Sequence, residues 1–294
     1  MKCFSSGIFG EDCPLFYLSE FYTFVRIIQK NSMIMGVKGI IFTIISFLSI
    51  CSSISLSLKQ KEDEKIRKSR IPFELREYYA GIDFSKKGTE LYEDLAILTI
   101  EKHTKFLKYS DRHQFLYKAD CSEVNPENVT LIYTSEERFW KEYEGNKKYS
   151  PNTFNTEHVY PRSKIITQAV TDLHHLRVCD SKVNNRRGNY PFTDGKGEAK
   201  LVNKSWFPGD EWKGDVARMI LYLNLRYAEE LNEDISTGGV DLLLKWNTED
   251  PVSFIEKNRN NVIQQAQGNR NPFIDNPYLA TLIWGGIQAE NIWK

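Results

Sequence analysis

The residues with the most chemical potential lie in one stretch, from position 155 to position 192. Glu157 and His158 are adjacent, and Asn184 follows later in the same stretch. Three of the chain's five histidines fall here. Between His158 and Gly188 there are six Lys or Arg side chains against two Asp, although the formal net charge of the whole chain is zero. The stretch therefore combines a base, oxygen ligands and local positive charge.

These residue types match the needs of phosphodiester hydrolysis. A neutral imidazole such as that of His158 can take a proton from water near pH 7. The carboxylate of Glu157 and the amide oxygen of Asn184 are ligands for a hard divalent cation, and two protein ligands leave room for water and a phosphate oxygen. His174 and His175 leave two interpretations open, a zinc-binding pair or residues packed in a strand.

The stretch must be folded so that these side chains meet. Its pattern predicts a strand over Thr156–Tyr160, a second strand over Asp172–Val178, and a helix over Cys179–Arg187. Asp180 or Ser181 can cap that helix, and Gly188 can end it. Neighbouring side chains of a strand point to opposite faces, so Glu157 and His158 can flank one phosphate only at a strand end or a bulge.

The rest of the chain predicts a mainly helical domain. It has 41% hydrophobic and 13% aromatic residues, enough for a sizeable core in one large or two small domains. Apolar spacing and capping residues predict a strand over Asn128–Tyr133 and helices at Thr89–Tyr109, from Asp215 onward, and from Asp250-Pro251 to Gln267.

The first 70 residues predict no part of the fold. Residues 35–57 have the layout of a secretory signal peptide: a short basic start, an apolar run of about a dozen residues and then small residues. Residues 1–34 then become an upstream extension, 58–70 a charged linker and 71–294 the folded domain. Two alternatives for residues 35–57 are a membrane anchor and a lipid attached at Cys51, although the large Ile50 precedes that cysteine.

Several motifs resemble one known family. The chain is similar to the endonuclease I family of secreted bacterial nucleases, whose active site is a ββα-metal unit (His-Me finger), over roughly Ile71 to Trp284. The resemblance implies an α+β fold, a mainly helical single domain around a small ββα-metal unit. The motifs that carry it are T-E-H-V-Y-P, D-L-H-H-L-R, K-V-N-N-R-R-G-N-Y-P-F, P-E-N-V-T-L-I-Y-T, D-E-W-K-G-D-V-A-R-M and Q-G-N-R-N-P-F-I-D.

The resemblance also implies roles for individual residues. It makes His158 the general base, and Glu157 and Asn184 the ligands of Mg²⁺, with Mn²⁺ or Ca²⁺ as alternatives. Further candidates are those for phosphate contact (Arg177, Arg187) and those for hydrogen bonds that support the site (Asn155, His174). The chain departs from the family pattern at Thr156, where Arg is usual, at Tyr160, and at Val178-Cys179.

The expected function is that of a secreted, metal-dependent, sequence-nonspecific endonuclease that cuts DNA and RNA to 5′-phosphate products. We expect a monomer without stable membrane association after the signal peptide is removed, located outside the cell, with the periplasm or the cell surface as alternatives. Two other classes stay open: a phosphodiesterase of small nucleotides and a catalytically silent nucleic-acid-binding protein. The basic residues of the stretch favour a polymeric substrate.

Cys121 and Cys179 are the only cysteines after the predicted signal peptide. Export would place them in an oxidising compartment, where two cysteines commonly pair. The related motif has no cysteine at the position of Cys179. We therefore expect a Cys121–Cys179 disulfide, with two buried free thiols as the alternative.

Overall fold

The computed structural model describes residues 45, 48–50, 52–57, 70–144 and 153–293. The chain divides into two units, Met1–Ser69 and Arg70–Lys294. In the first unit, residues 48–50 and 52–57 are helical. The predicted extension over 1–34, the rest of the predicted signal peptide and residues 58–69 of the predicted linker lie outside the described residues. Within the described part of the chain, no helix has the length and apolar character needed to cross a bilayer.

Helices dominate the second unit, and its described residues also form three short antiparallel strand pairs, which confirms the predicted α+β class. The α-helices are α1 (Gly88–Lys102), α2 (Arg112–Ala119), α3 (Ser181–Arg187), α4 (Lys213–Tyr227), α5 (Gly239–Glu249), α6 (Phe254–Gln267), α7 (Pro272–Asp275) and α8 (Tyr278–Trp284). The strands pair in order, β1 (Asn128–Thr130) with β2 (Glu137–Phe139), β3 (Phe154–His158) with β4 (Leu176–Asp180), and β5 (Lys200–Val202) with β6 (Ser205–Phe207).

Helix α4 forms the centre of the core. Every residue from Gly214 to Leu223 is buried, which is typical of a helix that is surrounded by other elements on all sides. It packs most extensively against α5 and also against α1. Since α4 is covered all round, its few charged side chains must find partners inside the protein.

Strands β3 and β4 and helix α3 make the predicted strand–strand–helix unit. The strands are antiparallel, with Glu157 opposite Arg177 and His158 opposite Leu176. Asp180 ends β4 and caps α3, because its Oδ1 accepts hydrogen bonds of 2.9 Å from the backbone N–H groups of Lys182 and Val183. The side-chain cap makes the chain turn directly from strand into helix.

The predicted strand boundaries need correction. The first strand runs over Phe154–His158 and ends at the residue we assigned as the base, while the second begins only at Leu176. Asp172 accepts a 2.9 Å hydrogen bond from the backbone N–H of His174 and closes a 3₁₀ turn over Leu173–His175. A local cap of this kind competes with strand pairing, which is why the segment before Leu176 is not extended.

Helix boundaries also differ from those predicted. Helix α1 ends at Lys102, so His103 lies just beyond it. Helix α4 begins before Asp215, which is buried in its first turn and does not cap it. Helix α6 is opened by Ser253 in a capping box with Glu256, whereas Asp250-Pro251 precede it.

A network of buried ion pairs ties the site-bearing strands to the helices. Asp120, just after α2, binds Arg177 of β4 with Nε 2.8 Å from Oδ1, and it also binds Arg259 of α6. Arg177 binds Asp215 of α4 as well, at 2.9 Å. All four side chains are almost completely buried, so the attraction between the paired charges must offset the free energy lost when each charge leaves water.

The predicted Cys121–Cys179 disulfide is wrong for this structure, in which both thiols are free. The Cys179 thiol is buried and lies 3.8 Å from the carbonyl oxygen of Ile132, whereas that of Cys121 lies 3.7 Å from the carbonyl oxygen of Pro126. The two cysteines pair with different parts of one segment, Cys121 with Val129 and Cys179 with Ile132. The separate backbone pairings keep the two sulfur atoms apart.

We predict that Asp120→Ala lowers the free energy of unfolding by about 3–5 kcal/mol, because it leaves the buried charges of Arg177 and Arg259 without this partner. Urea denaturation followed by circular dichroism measures the change. Glu136→Ala is the matched control: it removes an exposed partner of Arg138, which keeps Asp180, and should cost less than about 1 kcal/mol. Equal losses in the two variants would contradict the structural role of the network.

Candidate active site

Glu157 is a buried carboxylate near the end of β3. The hydroxyl of Tyr133 donates a 2.9 Å hydrogen bond to its Oε1, and Nε of Arg187 lies 2.9 Å from the same oxygen. Burial raises the pKa of Glu157 to about 7, although the neighbouring Arg187 and the Tyr133 hydroxyl both act to lower it. The second carboxylate oxygen, Oε2, takes part in neither contact. Glu157 is thus held rigidly by one oxygen.

Tyr133 reaches Glu157 from an unusual backbone conformation. Its φ angle is +74°, in the left-handed region that bulky residues rarely adopt. Such strain is kept only where the surroundings overdetermine it, and it is common at functional sites. Here the ring is buried and packs edge-on against Trp206 at a centroid distance of 5.4 Å. The strained turn therefore serves to deliver the hydroxyl to the carboxylate.

His158 is the last residue of β3 and is half-buried. Its Nε2 lies 3.3 Å from the carbonyl oxygen of Val170. A carbonyl oxygen can only accept, so Nε2 carries the hydrogen in the neutral ring and Nδ1 keeps its lone pair. Tyr109 stacks on the ring, with centroids 5.4 Å apart and planes 18° apart. These contacts fix both the tautomer and the orientation.

The surroundings keep His158 uncharged. Burial, followed by the nearby His175 and the cations Arg162 and Arg112, lowers the pKa of His158 to about 3. Its ordinary value is 6.5. The imidazole is therefore neutral near pH 7, the state that a general base requires.

Asn184 lies half-buried on α3 and is oriented by a chain of amides. Its Nδ2 donates to Oδ1 of Asn155 at 2.7 Å and to the carbonyl oxygen of Thr156 at 3.1 Å. Nδ2 of Asn155 in turn lies 3.4 Å from Oε2 of Glu144. A carboxylate can only accept, so Glu144 sets the orientation of both amides and leaves Oδ1 of Asn184 available for a ligand. Asn155 supports Asn184 more directly than it supports the Glu157–His158 segment.

The available ligand atoms of Glu157 and Asn184 are both oxygens. Oxygen ligands suit Mg²⁺ and related hard cations, which keep several waters. Among the described residues, no group of three or more His, Cys, Asp or Glu side chains is placed to hold a metal ion. A zinc site at His174-His175 would need further ligands of that kind. The residues present therefore fit a hard divalent cation with few protein ligands.

Arg177 and Arg187 are not at the surface, and the predicted phosphate contacts need correction. Both side chains are completely buried. Arg177 is held by Asp120 and Asp215, and Arg187 by Glu157 and backbone carbonyl oxygens, including that of Val159 at 3.1 Å. Arg177 maintains the core, whereas Arg187 positions the carboxylate of Glu157.

His174 also occupies a different place from the one predicted. Its ring packs against Tyr222 at 4.4 Å, and its Nε2 lies 3.3 Å from the carbonyl oxygen of Asn269. His175 is the histidine beside His158, at a centroid distance of 5.4 Å. In a 3₁₀ turn successive side chains point about 120° apart, since there are 3.0 residues per turn. The sequence showed two adjacent histidines but not which one faces the base.

Two cations that our sequence analysis did not assign to phosphate lie next to the base. The guanidinium of Arg112 is 3.6 Å from the ring centre of Tyr109, and that of Arg162 is 5.7 Å from it. Nε of Arg112 also donates to the Thr156 hydroxyl at 2.9 Å. Arg162 belonged to the basic stretch already noted, but nothing in the sequence connected Tyr109 or Arg112 with it. Tyr133 was missed for the same reason, since nothing in the sequence connected it with Glu157.

Comparison with known proteins gives consistent matches. The family model described as Endonuclease I matches residues 88–278. An extracellular ribonuclease of Bacillus amyloliquefaciens is 39% identical over 223 residues, which cover 68% of this chain and 75% of the relative. An extracellular ribonuclease of Bacillus subtilis strain 168 is 37% identical over 231 residues, covering 70% and 78%. A periplasmic deoxyribonuclease of Aeromonas hydrophila is 30% identical over 115 residues, covering 35% and 47%.

In the metal-free protein we predict that His158 stays neutral, with the hydrogen on Nε2, from pH 8 down to about pH 4, because burial disfavours the charged ring and lowers its pKa. Long-range ¹H–¹⁵N spectra of labelled protein report both the tautomer and the titration. His158→Gln identifies the signal. A midpoint near 6.5, or a hydrogen on Nδ1, would be inconsistent with this geometry.

Proposed function

The chain belongs to the endonuclease I family, and on this basis we propose that it is a secreted, metal-dependent endonuclease that hydrolyses DNA and RNA without sequence preference. One observation carries the proposal. The end of β3 holds a neutral imidazole, His158, with a free Nδ1 lone pair, next to the buried carboxylate of Glu157. Asn184 supplies a second oxygen from α3.

His158 acts as the general base in this proposal. Its Nδ1 takes a proton from the attacking water, and the new charge on the ring is shared with the Val170 carbonyl through the Nε2–H bond. A pKa of about 3 would make His158 a weak base in the empty site. An entering phosphate brings negative charge, which favours the protonated ring and raises the pKa when the reaction needs it.

Glu157 and Asn184 would hold the cation, Mg²⁺ in the first instance, with Mn²⁺ or Ca²⁺ as alternatives. When bound, a hard divalent cation stabilises negative charge on the phosphoryl oxygen and on the leaving 3′ oxygen. Arg187 and Tyr133 engage Oε1 of Glu157 and so fix the carboxylate that binds it. Asn155 and Glu144 fix the amide of Asn184 in the same way. Such supporting contacts commonly change metal affinity by about 10–100-fold.

Arg112 and Arg162 are the candidates for holding the substrate phosphate. Both guanidinium groups lie near the ring of Tyr109 that stacks on His158, and among the described residues neither forms an ion pair with a carboxylate. Contacts to phosphate position a strand without reading its bases, which supports cleavage without sequence preference. Relatives named as ribonucleases and as deoxyribonucleases support action on both RNA and DNA.

Secretion is part of the same proposal. The relatives are named extracellular or periplasmic, which supports residues 35–57 as an export signal. A monomer without stable membrane association stays our prediction.

We expect His158→Ala to lower kcat by about 10²–10⁴-fold, because the water loses its base, while DNA binding is kept. Glu157→Ala and Asn184→Ala should raise the Mg²⁺ concentration needed for half-maximal activity. Conversion of supercoiled plasmid to nicked circles, with Mg²⁺ and with EDTA, measures these effects. Lys257→Ala is the control, an exposed side chain of α6 that takes part in none of the site contacts. Near-normal turnover by purified His158→Ala would rule out the assigned base.

A water nucleophile has no need of the ribose 2′-OH. We therefore expect RNA cleavage to leave 5′-phosphate ends without 2′,3′-cyclic phosphate, and we expect the same sequence made as DNA to be cut as well. Mass spectrometry of the cleavage products of one end-labelled sequence, made once as RNA and once as DNA, provides the measurement. Cyclic phosphate products, or complete resistance of the DNA strand, would point to attack by the 2′-OH and against the proposed mechanism.

A further inference from the structure

A cavity of about 670 Å³ opens beside the proposed active site. Its walls come from α1 and the segment after it, from the end of α4, and from residues 167–171. Apolar and aromatic side chains dominate the lining, among them Tyr92, Ile100, Phe106 and Tyr227. No step of the proposed reaction uses this cavity.

Arg226 is the one cation in the lining, and it is unpaired. Its Nε is buried without a hydrogen-bond partner, and within the described part of the chain its guanidinium forms no ion pair. The guanidinium lies 4.6 Å from the ring centre of Tyr227. The nearby carboxylate of Asp172 is already occupied by the hydroxyls of Tyr222 and Tyr227. An unpaired guanidinium in such a cavity calls for an anionic ligand.

Phe106 gives the cavity an aromatic surface. Its side chain is 72% exposed, yet its ring is held flat against the buried His103, with centroids 4.6 Å apart and planes 18° apart. Ile100, near the end of α1, lines the same cavity and is half-exposed. A large apolar ring that is both exposed and held in place is suited to stacking with a planar ligand.

The cavity and the proposed base share the same two chain segments. Phe106 lines the cavity, and Tyr109, three residues on, stacks on His158; the two Cα atoms are at most about 11 Å apart. Gln168 and Thr171 line the cavity, and Val170 between them accepts the hydrogen bond of His158. A nucleic-acid strand bound at His158 would therefore reach the cavity within a few nucleotides.

We propose that this cavity binds one unpaired nucleotide of the substrate strand, with its base stacked on Phe106 and its phosphate bound by Arg226. A flat aromatic group and an anion, joined in one small ligand, match the two features that the cavity offers. The proposal rests on the proposed function, because it takes the ligand to be part of the strand cut at His158.

The proposed nucleotide site predicts which class of nucleic acid the protein prefers. A base can enter the cavity only if it has left the stack and its pairing partner, which is easy in single strands and costly in a duplex. The cavity therefore favours single-stranded RNA and DNA, while the cutting site itself binds the phosphate backbone of any strand. Base stacking of this kind tolerates every sequence.

Binding without cleavage tests the site directly. We would measure the fluorescence anisotropy of a labelled oligodeoxyadenylate, alone and in a duplex, in the presence of EDTA. Phe106→Ala and Arg226→Gln should each weaken single-strand binding about tenfold and duplex binding much less, so that the ratio of the two affinities falls. Phe254→Ala and Lys257→Gln are matched controls. They change a phenylalanine of similar exposure (61%) and a cation, both on α6 and outside the cavity. Their ratio should equal that of the wild type.

The outcomes separate this site from the proposed activity. An unchanged ratio in both Phe106→Ala and Arg226→Gln, with a wild-type melting temperature, overturns the nucleotide site even if plasmid is cut normally. If only the cavity variants lose the preference for the single strand, the nucleotide site is supported. A wild-type protein that cuts nothing with Mg²⁺ would refute the nuclease proposal but not the nucleotide site. Phe106→Leu, which keeps the apolar contact without the ring, replaces the alanine variant if that variant melts early.

Discussion

The buried carboxylate of Asp120 is the point on which the structure depends. It lies between the guanidinium groups of Arg177 and Arg259, and Arg177 extends the pairing to Asp215 in the central helix. Each of these charges has given up its water, so removing Asp120 would take a carboxylate partner from both Arg177 and Arg259 in a medium of low dielectric constant. Strand β4 is thereby locked to α4 and α6. Since β4 sets the register of β3, the same pairs determine where Glu157 and His158 lie.

A second set of contacts connects the end of the central helix α4 with the loop that binds His158. Glu229, just beyond α4, accepts hydrogen bonds from the backbone N–H groups of Ile166 and Thr167. The same segment supplies the carbonyl oxygens of Ala169 and Val170, which bind His175 and His158. The tautomer of the base is therefore set by a loop that is tied to the core at its beginning. The loop also forms part of the wall of the cavity for which we propose a nucleotide.

Four arginines around the site divide into two groups by burial. Those in the interior, such as Arg177 and Arg187, are paired with carboxylates and hold structure or position a ligand. Those near the surface of the site, Arg112 and Arg162, lie over an aromatic ring. This division explains how a chain of zero net charge can offer a positive site: the acidic residues cancel the interior cations, and the field at the site comes from the rest.

What the sequence determined by itself was local. The order strand, strand, helix and the Asp180 cap follow from periodicity and capping, which act over a few residues, whereas the α+β class was implied by the family resemblance. The motifs around Glu157, His158 and Asn184 were sufficient to indicate the family.

Tertiary structure decided everything that depends on partners distant in sequence. The pairing of Arg177 with Asp120 removed it from the surface, and separate backbone pairings kept Cys121 from Cys179. A 3₁₀ turn capped by Asp172 placed His175, and not His174, beside the base. Burial and ion pairing depend on which distant residues pack around a side chain. The type of one residue and its spacing from its neighbours do not contain that information.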